Sequence, residues 1–455
     1  MTTAQDALKF LGSEIEKREK RQVISFEDYM EIVKNEPHKA LRSIFQLFYD
    51  MVKSNVGGGV DEYPDDPESI GFVKYDCSRL FSEGSYNPFF ADRLFANRFM
   101  RQVENLRQGS LQNHVYAFLG PPGCGKSTFL NNLLESFEAY TSTKEGGVFE
   151  LIWEIDESLF LKDGADGQTL TIPCPSHDCP LLIIPREHRV EFLEKLIPKK
   201  SEKDSGIFHE KQYEWLFKND ACTICRAIFW ASLEKLQSLE KVLGFIKARP
   251  YKFDRRLGEG ISIFNPGDKS TWVGAGGRPT GGYFTSKQIQ DRLDRIFGLN
   301  SVKYSYSPLA KTNNGVYVLM DVKLDNQERL IQLHNVISEG VHKVGEIEEY
   351  INSLFIALMN PEDREMIEQK KMESLQGRIQ YNSIPYVLEP ATEVKIYITN
   401  FGESVRKHFL PRIIENFARV IIASRMKEEC KALKEWIPNM RPYERYCDAT
   451  GLLLR

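Results

Sequence analysis

The stretch Gly120-Pro-Pro-Gly-Cys-Gly-Lys126-Ser127-Thr128 constrains this chain more than any other. It fits the pattern Gly-x4-Gly-Lys-Ser/Thr, whose glycines let backbone N–H groups turn inward around a phosphate. Its context fits as well. Val115–Leu119 reads as a buried strand and Ser127–Tyr140 as the helix after it, and a helix start adds positive potential. The expected nucleotide-binding set is Gly120, Pro121, Pro122, Gly123, Cys124, Gly125, Lys126, Ser127 and Thr128. Lys126 is expected to reach the β- and γ-phosphates of ATP, and the Ser127 hydroxyl to ligate Mg²⁺. Such a loop implies an α/β fold with a parallel sheet.

The rest of the chain must be organised around that loop. Its 455 residues allow two to four domains at roughly 100–200 residues each. Apolar residues make up 42% and charged residues 27%, an ordinary globular balance that excludes a wholly disordered chain. No run reaches the ~18–20 apolar residues of a membrane-spanning helix. The N-terminus lacks a basic region followed by an apolar one, so no secretory signal and no membrane are expected, and a cytoplasmic location is. The net charge of −4 gives no global pull toward nucleic acid.

Five regions follow from the patterning. Residues 1–90 read as an N-terminal helical segment, with Phe26, Tyr29, Ile32 and Val33 at helical spacing and a loop through Gly57–Gly59, Pro64 and Pro67. Residues 91–163 form the first part of the nucleotide-binding core; a helix is expected from Asn87 to Gln108 and a second core strand at Phe149–Ile155. Residues 164–250 break the rhythm and read as an insertion. Residues 251–390 are the second part of the core, loop-heavy to 315, with strands at Val316–Asp321, Ser353–Met359 and Ile384–Leu388. Residues 391–455 read as a helical lid. The closing Gly451-Leu-Leu-Leu-Arg455 carries no stop signal, so the lid is expected to be incomplete.

A P-loop ATPase needs a strand-end aspartate to hold Mg²⁺. Asp156, followed by Glu157, lies on the next strand in sequence. Asp321, followed by Val322, lies later, where many P-loop folds place this acid, and is preferred. Asn360, at the tip of another strand, can orient an attacking water. Arg378, just before the following strand, can reach a neighbouring subunit's γ-phosphate. Asp321, Asn360 and Arg378 are the candidate catalytic residues, with Ser127 and Asp321 the Mg²⁺ ligands.

Cysteines supply a second signal. Cys174-Pro-Ser-His177 and Cys222-Thr-Ile-Cys225 are two knuckles whose spacing suits a tetrahedral Zn²⁺ held by Cys174, His177, Cys222 and Cys225, with Cys179 as the alternative to His177. Four ligands make such a site structural. Cys77, Cys124, Cys430 and Cys447 are isolated, and oxidation of Cys124 would disturb the phosphate loop.

Together these residues resemble the AAA+ region of the PrkA-type serine protein kinases. The resemblance runs from about Phe26 to about Lys427. It is carried by Ser25-Phe-Glu-Asp-Tyr-Met, Gly120–Ser127, Cys174-Pro-Ser-His177, Pro180-Leu-Leu-Ile-Ile-Pro185, Cys222-x2-Cys225-Arg226, Phe264-Asn-Pro-Gly-Asp268, Tyr304-Ser-Tyr-Ser-Pro-Leu, Thr312-Asn-Asn-Gly315, Gly377-Arg378-Ile, Ile384-Pro-Tyr386, Glu393-Val-Lys-Ile-Tyr397 and Ser424-Arg425-Met-Lys-Glu. It implies an AAA+ P-loop NTPase with a zinc-knuckle insertion and a lid, Asp321 on an acidic position and Arg378 in an arginine-finger segment. Val318 stands where the family has a second acid, and Gly377 where it has an aspartate. The expected activity is ATP hydrolysis by a homo-oligomeric ring, coupled to a protein partner. The alternatives are a PrkA-type serine kinase, and a nucleotide-gated module binding nucleic acid or protein. Lys247, Arg249, Lys252, Arg255 and Arg256 interleaved with Tyr251 and Phe253 would be its nucleic-acid surface.

Overall fold

A five-residue run as apolar as Val115–Leu119 needs neighbours on both edges and cover on both faces. The computed structural model describes residues 4–19, 22–62, 64, 73–107, 114–161, 168–197, 210–265, 284–322, 328–344, 347–369, 377–410 and 412–426. Pro67, residues 266–268 of the Phe264 stretch, Cys430, Cys447, the lid from residue 427 on and the 451–455 end lie outside the described residues. Within them the strands are, in chain order, β1 (Ile24–Ser25), β2 (Val115–Leu119), β3 (Phe149–Asp156), β4 (Thr169–Pro173), β5 (Ile246–Pro250), β6 (Ile261–Phe264), β7 (Phe284–Thr285), β8 (Ser305–Tyr306), β9 (Val316–Leu319), β10 (Val341–Val344), β11 (Ile347–Tyr350), β12 (Leu354–Met359) and β13 (Ile379–Ser383).

Two sheets organise the chain. A five-stranded parallel sheet has the order β13-β2-β12-β9-β6. Its register pairs Leu119 with Met359 and Ser383, and Leu319 with Ala357 and Phe264, so the strands end close together at one edge. Side chains alternate between faces. Tyr116, Phe118, Val316 and Val318 join one core with the helices Ile44–Val56, Arg93–Arg107 and Lys126–Thr141, while Val115, Ala117, Tyr317 and Leu319 join another with the helix Glu328–Glu339. Within the first core Phe81, Phe89, Phe95, Phe99 and Phe118 surround Phe129, at centroid distances of 4.7–5.9 Å. Aromatic rings packed edge to face in this way fix the helix that follows the phosphate loop.

The second sheet is antiparallel, in the order β1-β5-β3-β4. This corrects the expectation that Phe149–Ile155 belongs with the phosphate loop. That strand pairs instead with Thr169–Pro173 and Ile246–Pro250, and buries Leu151, Trp153 and Ile155 in a separate core. A short apolar run is equally compatible with either sheet, and only its partners decide. Phe149–Asp156 thus shares its sheet with strands of the stretch expected to be an insertion, and the parallel sheet takes its next strand from Ile261–Phe264, inside the stretch expected to be loop. That stretch also holds the helix Lys287–Phe297.

Other boundaries shift too. The last core strand is Ile379–Ser383, not Ile384–Leu388, because Gln380 and Asn382 interrupt its apolar pattern. The helix expected from Asn87 starts at Arg93, where the Asp92 carboxylate accepts the Phe95 N–H at 2.7 Å. Nor is 1–90 one unit: Phe26, Tyr29 and Val33 pack under the antiparallel sheet, whereas Ile44–Val56 packs on the parallel one. Tyr251 and Phe253 are buried, Arg249 pairs with Glu150, and Arg255 with Glu135 and Glu138, so the aromatics of the expected nucleic-acid surface are core residues and cannot stack on bases, while Lys252 and Arg256 stay exposed.

Arg189 is fully buried in the insertion, and its guanidinium is held largely by carbonyls. It donates to Ile184 O at 3.1 and 2.8 Å, Leu182 O at 3.0 Å, Asn219 O at 2.8 Å and Leu216 O. It thereby ties the chain after Cys179 to the chain before Cys222. Arg189→Leu strands these acceptors in an apolar setting, at a cost of about 3 kcal/mol or more. Urea unfolding followed through Trp153 and Trp215, both in this core, is expected to show the loss.

Candidate nucleotide site and thiol cluster

The phosphate loop runs from the end of β2 to the helix Lys126–Thr141. Gly123 and Gly125 sit at φ +80° and +93°, the left-handed region that a side chain disfavours, and Gly125 caps the helix. The Lys126 ammonium is buried and donates to Gly120 O at 2.6 Å, Pro121 O at 3.1 Å and Asn360 Oδ1 at 2.9 Å. Asn360 follows β12, and its amide donates to Asp363 at 3.2 Å. Asp321 follows β9 in left-handed geometry, φ +44°. Its neighbours are fixed by Met320 N–H to Phe264 O and Val322 N–H to Leu358 O, both 2.8 Å.

The sheet order thus gathers the loop, Asp321 and Asn360 at the carboxyl ends of three adjacent strands, where open α/β sheets bind ligands. Asp156 ends a strand of the other sheet, where its carboxylate caps Ser158. Val318 lies mid-strand, fully buried in the apolar core, so an acid there would not face the strand ends. Arg378 lies at the other end of the sheet. Its carbonyl accepts the Val115 N–H at 2.9 Å, a strand length, roughly 17 Å, from Gly120. Among the site residues Cys124 is buried, and burial pushes its thiol up despite Lys126, which lowers its reactivity.

A cavity of about 400 Å³ adjoins the loop, lined by Asn87, Phe89, Cys124, Thr128, Val387 and Glu393 among others. Its roof is an ion pair. Buried Glu393, on the helix Pro390–Phe401, accepts from Arg425 at 2.9 and 3.0 Å, and Arg425 also donates to Val387 O at 3.3 Å. The Arg425 guanidinium stacks 5.0 Å above the Tyr386 ring, whose hydroxyl donates to Pro122 O of the loop at 2.9 Å. The sequence offers Arg425 and Glu393 only as parts of separate motifs, because their pairing spans 32 residues, and gives Asp363 no role although its partner Asn360 is three residues away.

The thiol cluster differs from expectation in one ligand. Cys174, Asp178, Cys222 and Cys225 are all buried, with one donor atom from each within 4.8 Å of the others. Cys174 Sγ lies 3.6 Å from Cys222 Sγ, near the ~3.8 Å that two thiolates on a tetrahedral Zn²⁺ span. Asp178 Oδ2 accepts the Cys222 N–H at 2.7 Å. His177 turns away: its φ is +48°, it stacks on Tyr251 at 4.4 Å, and Nδ1 meets buried Glu150 at 2.5 Å. Cys179 Sγ meets the Tyr29 hydroxyl at 3.2 Å. The correction has a physical reason: the turn after Cys174 brings the fourth residue on, not the third, back to the sulfur. Burial pushes Cys174, Cys225 and Asp178 up, while hydrogen bonds from Cys174 and Cys225 hold Cys222 well down. Three thiols and a carboxylate in a dry pocket are a donor set that suits zinc.

Comparison with known proteins adds the following. Residues 290–432 match the model of the PrkA AAA domain, a span that takes in β9, β12, β13 and the helices from Pro390 to Ser424. Over 438 residues the chain is 25% identical to the ATP-dependent protease PrkA of Bacillus subtilis (strain 168), covering 92% of this chain and 57% of that protein. The chain therefore spans little more than half the length of that relative. An 88-residue stretch, 19% of the chain and 26% of the other protein, is 31% identical to the phosphate import ATP-binding protein PstB of Mycoplasmoides gallisepticum (strain R(low / passage 15 / clone 2)).

The Arg425–Glu393 pair ties the end of the helix Ile413–Ser424 to the helix Pro390–Phe401 beside the loop. Arg425→Ala leaves a carboxylate that is only 3% exposed without its cation, a loss that favours separation of the two helices. Limited proteolysis within residues 387–426 is expected to accelerate about tenfold or more.

Proposed function

We propose that this chain, whose residues 290–432 match the PrkA AAA domain, binds ATP–Mg²⁺ and hydrolyses the γ-phosphate bond between subunits of a ring, coupling turnover to a protein partner. The observation that carries this reading is the split of the candidate residues between the two ends of one sheet. Lys126, Asp321 and Asn360 share the edge where phosphates bind, and Arg378 sits at the opposite edge. An arginine there is out of reach of its own loop but placed to serve a neighbour's, as an arginine finger requires. Closed rings are the way such head-to-tail contacts terminate.

Each residue then has a task. The loop N–H groups and the helix start bind the β-phosphate. Lys126 exchanges its carbonyl partners for the β- and γ-phosphate oxygens. Ser127 and Asp321 would hold Mg²⁺, which neutralises charge developing on the phosphates. The Asn360 amide orients the water that attacks the γ-phosphorus in line, with ADP leaving. The base fits the cavity beside Phe89 and Val387, under the Glu393–Arg425 roof. No glutamate follows Asp321, so water activation falls to Asn360 and to the neighbouring Asp363. The Bacillus subtilis relative is called an ATP-dependent protease, and a protein as the partner of ATP turnover agrees with that description. No described feature favours the serine-kinase alternative. The cysteine–aspartate cluster is proposed as a structural zinc site that cross-links the insertion.

Steady-state hydrolysis by the full chain tests the site. Lys126→Ala and Asp321→Asn are expected to lower turnover at least a hundredfold. Arg378→Ala subunits mixed into wild type are expected to poison activity more than in proportion; a linear dilution would exclude a shared site. Metal analysis is expected to find about one zinc per chain. Cys222→Ser is expected to lose it, and His177→Ala to retain it.

A further inference from the structure

Among the described residues, the knuckle that bears Cys174 and Asp178 is hydrogen-bonded to the loop Thr312-Asn313-Asn314-Gly315, which leads into β9 of the parallel sheet. Asn313 Nδ2 donates to Ser176 O at 2.7 Å, and Asn314 Nδ2 donates to His177 O at 3.1 Å. Ser176 and His177 are the two residues immediately before Asp178 in the knuckle turn. The other ends of the same two amides reach the start of β12. Asn313 Oδ1 accepts the Asn352 N–H at 2.7 Å, and Asn314 Oδ1 accepts the Asn352 side-chain amide at 3.3 Å. Tyr251, stacked on His177, donates to Asn313 O at 3.2 Å. Ser353 Oγ donates to Thr312 O at 2.6 Å.

The joint is built tightly. Asn313 is buried, so water does not readily substitute for a lost partner. Asn314 holds φ +54°, which asparagine tolerates better than most residues. A Cβ on Gly315 would lie 2.1 Å from Gly260 O at the head of β6, so only glycine fits. From this joint two strands run in parallel. Val316 pairs with Leu354 and Leu319 with Ala357, and the strands lead to Asp321 and Asn360. A shift at the joint is therefore carried to the residues at the far edge. A knuckle serving only to staple the insertion would not need its two turn carbonyls read by side chains that also fix the start of β12.

We infer that Asn313 and Asn314 are positioning residues through which metal held by the Cys174–Asp178 knuckle sets the alignment of Asp321 and Asn360, and hence the rate of ATP turnover. This rests on the zinc and ATPase readings given above. Metal bound by Cys174, Asp178, Cys222 and Cys225 fixes the turn, the turn fixes the two carbonyls, and the asparagines pass that geometry to β9 and β12. Neither asparagine touches the nucleotide site.

The test compares wild type with Asn313→Ala, Asn314→Ala and the double variant as full chains, with Asn313→Asp as a change that keeps the acceptor for Asn352 but sets an oxygen against the Ser176 carbonyl. Four quantities are read: zinc per chain, affinity for a fluorescent ATP analogue, kcat, and hydrogen exchange of the Asn314, Val316 and Leu354 amides. The variants are expected to keep zinc and to bind the analogue within about twofold of wild type. Their kcat is expected to fall about tenfold, and exchange at the three amides to accelerate by a similar factor. Chelating zinc from wild type is expected to accelerate the same amides, and chelating it from the double variant to add nothing further. Variants that keep zinc, kcat and slow exchange overturn the coupling and leave the knuckle a local staple. Wild type that carries no metal overturns the zinc reading itself, and wild type without turnover the ATPase reading; exchange in the variants still decides the mechanical link.

Discussion

Five strands run the same way and stop within a residue or two of one another, and the chemistry of this chain depends on that alignment. The register places Gly120, Met320 and Asn360 just past strand ends that are hydrogen-bonded neighbours. Parallel strands cannot be joined by tight turns, so each connection climbs back over a face of the sheet and covers it. The cover is the phenylalanine cluster around Phe129 on one side and the Leu330–Ile337 helix face on the other. Because both faces are sealed, the strand ends are where polar groups can converge, and the Lys126–Asn360 contact is the first product of that convergence.

The antiparallel sheet solves a different problem. Its strands come from three distant parts of the chain, residues 24–25, 149–173 and 246–250, and they enclose a core with its own tryptophans, a buried arginine and the thiol cluster. The N-terminal helices serve both sheets in turn, so the two cores share a border without sharing a centre. At that border the amides of Asn313, Asn314 and Asn352 bond one another and the knuckle carbonyls, beside two buried carboxylates, Glu150, which His177 and Arg249 satisfy, and Glu349, which accepts from Ser307. Amides transmit direction without the desolvation cost of buried ions.

How much of this was legible in the sequence follows from how local each feature is. The phosphate loop was fully readable, since its strand, glycines, lysine and helix are contiguous. The preference for Asp321 over Asp156 needed the strand order, which no short window contains; the sheet then placed Asp156 elsewhere. Ile261–Phe264 was missed because four residues with a serine among them give little period-two signal. The cysteine knuckles were legible by spacing, but spacing alone cannot choose between His177 and Asp178 as the fourth member of the cluster: they are adjacent, and histidine is the commoner metal ligand. The turn decides, through the bond from the Asp178 N–H to Cys174. Val318 drew notice as a departure from the family, yet it is an ordinary core valine.

The three oxygens around the Lys126 ammonium compete with any phosphate for the same cation. Gly120 O, Pro121 O and Asn360 Oδ1 must all be given up before the lysine can turn to a ligand. A lone orthophosphate brings few contacts to offset that exchange. A triphosphate with a base brings the loop N–H groups, the metal ligands and the walls of the neighbouring cavity as well. Each of those contacts raises the threshold for any group that would take the lysine, and a ligand with several points of attachment offsets it better than a single small anion does.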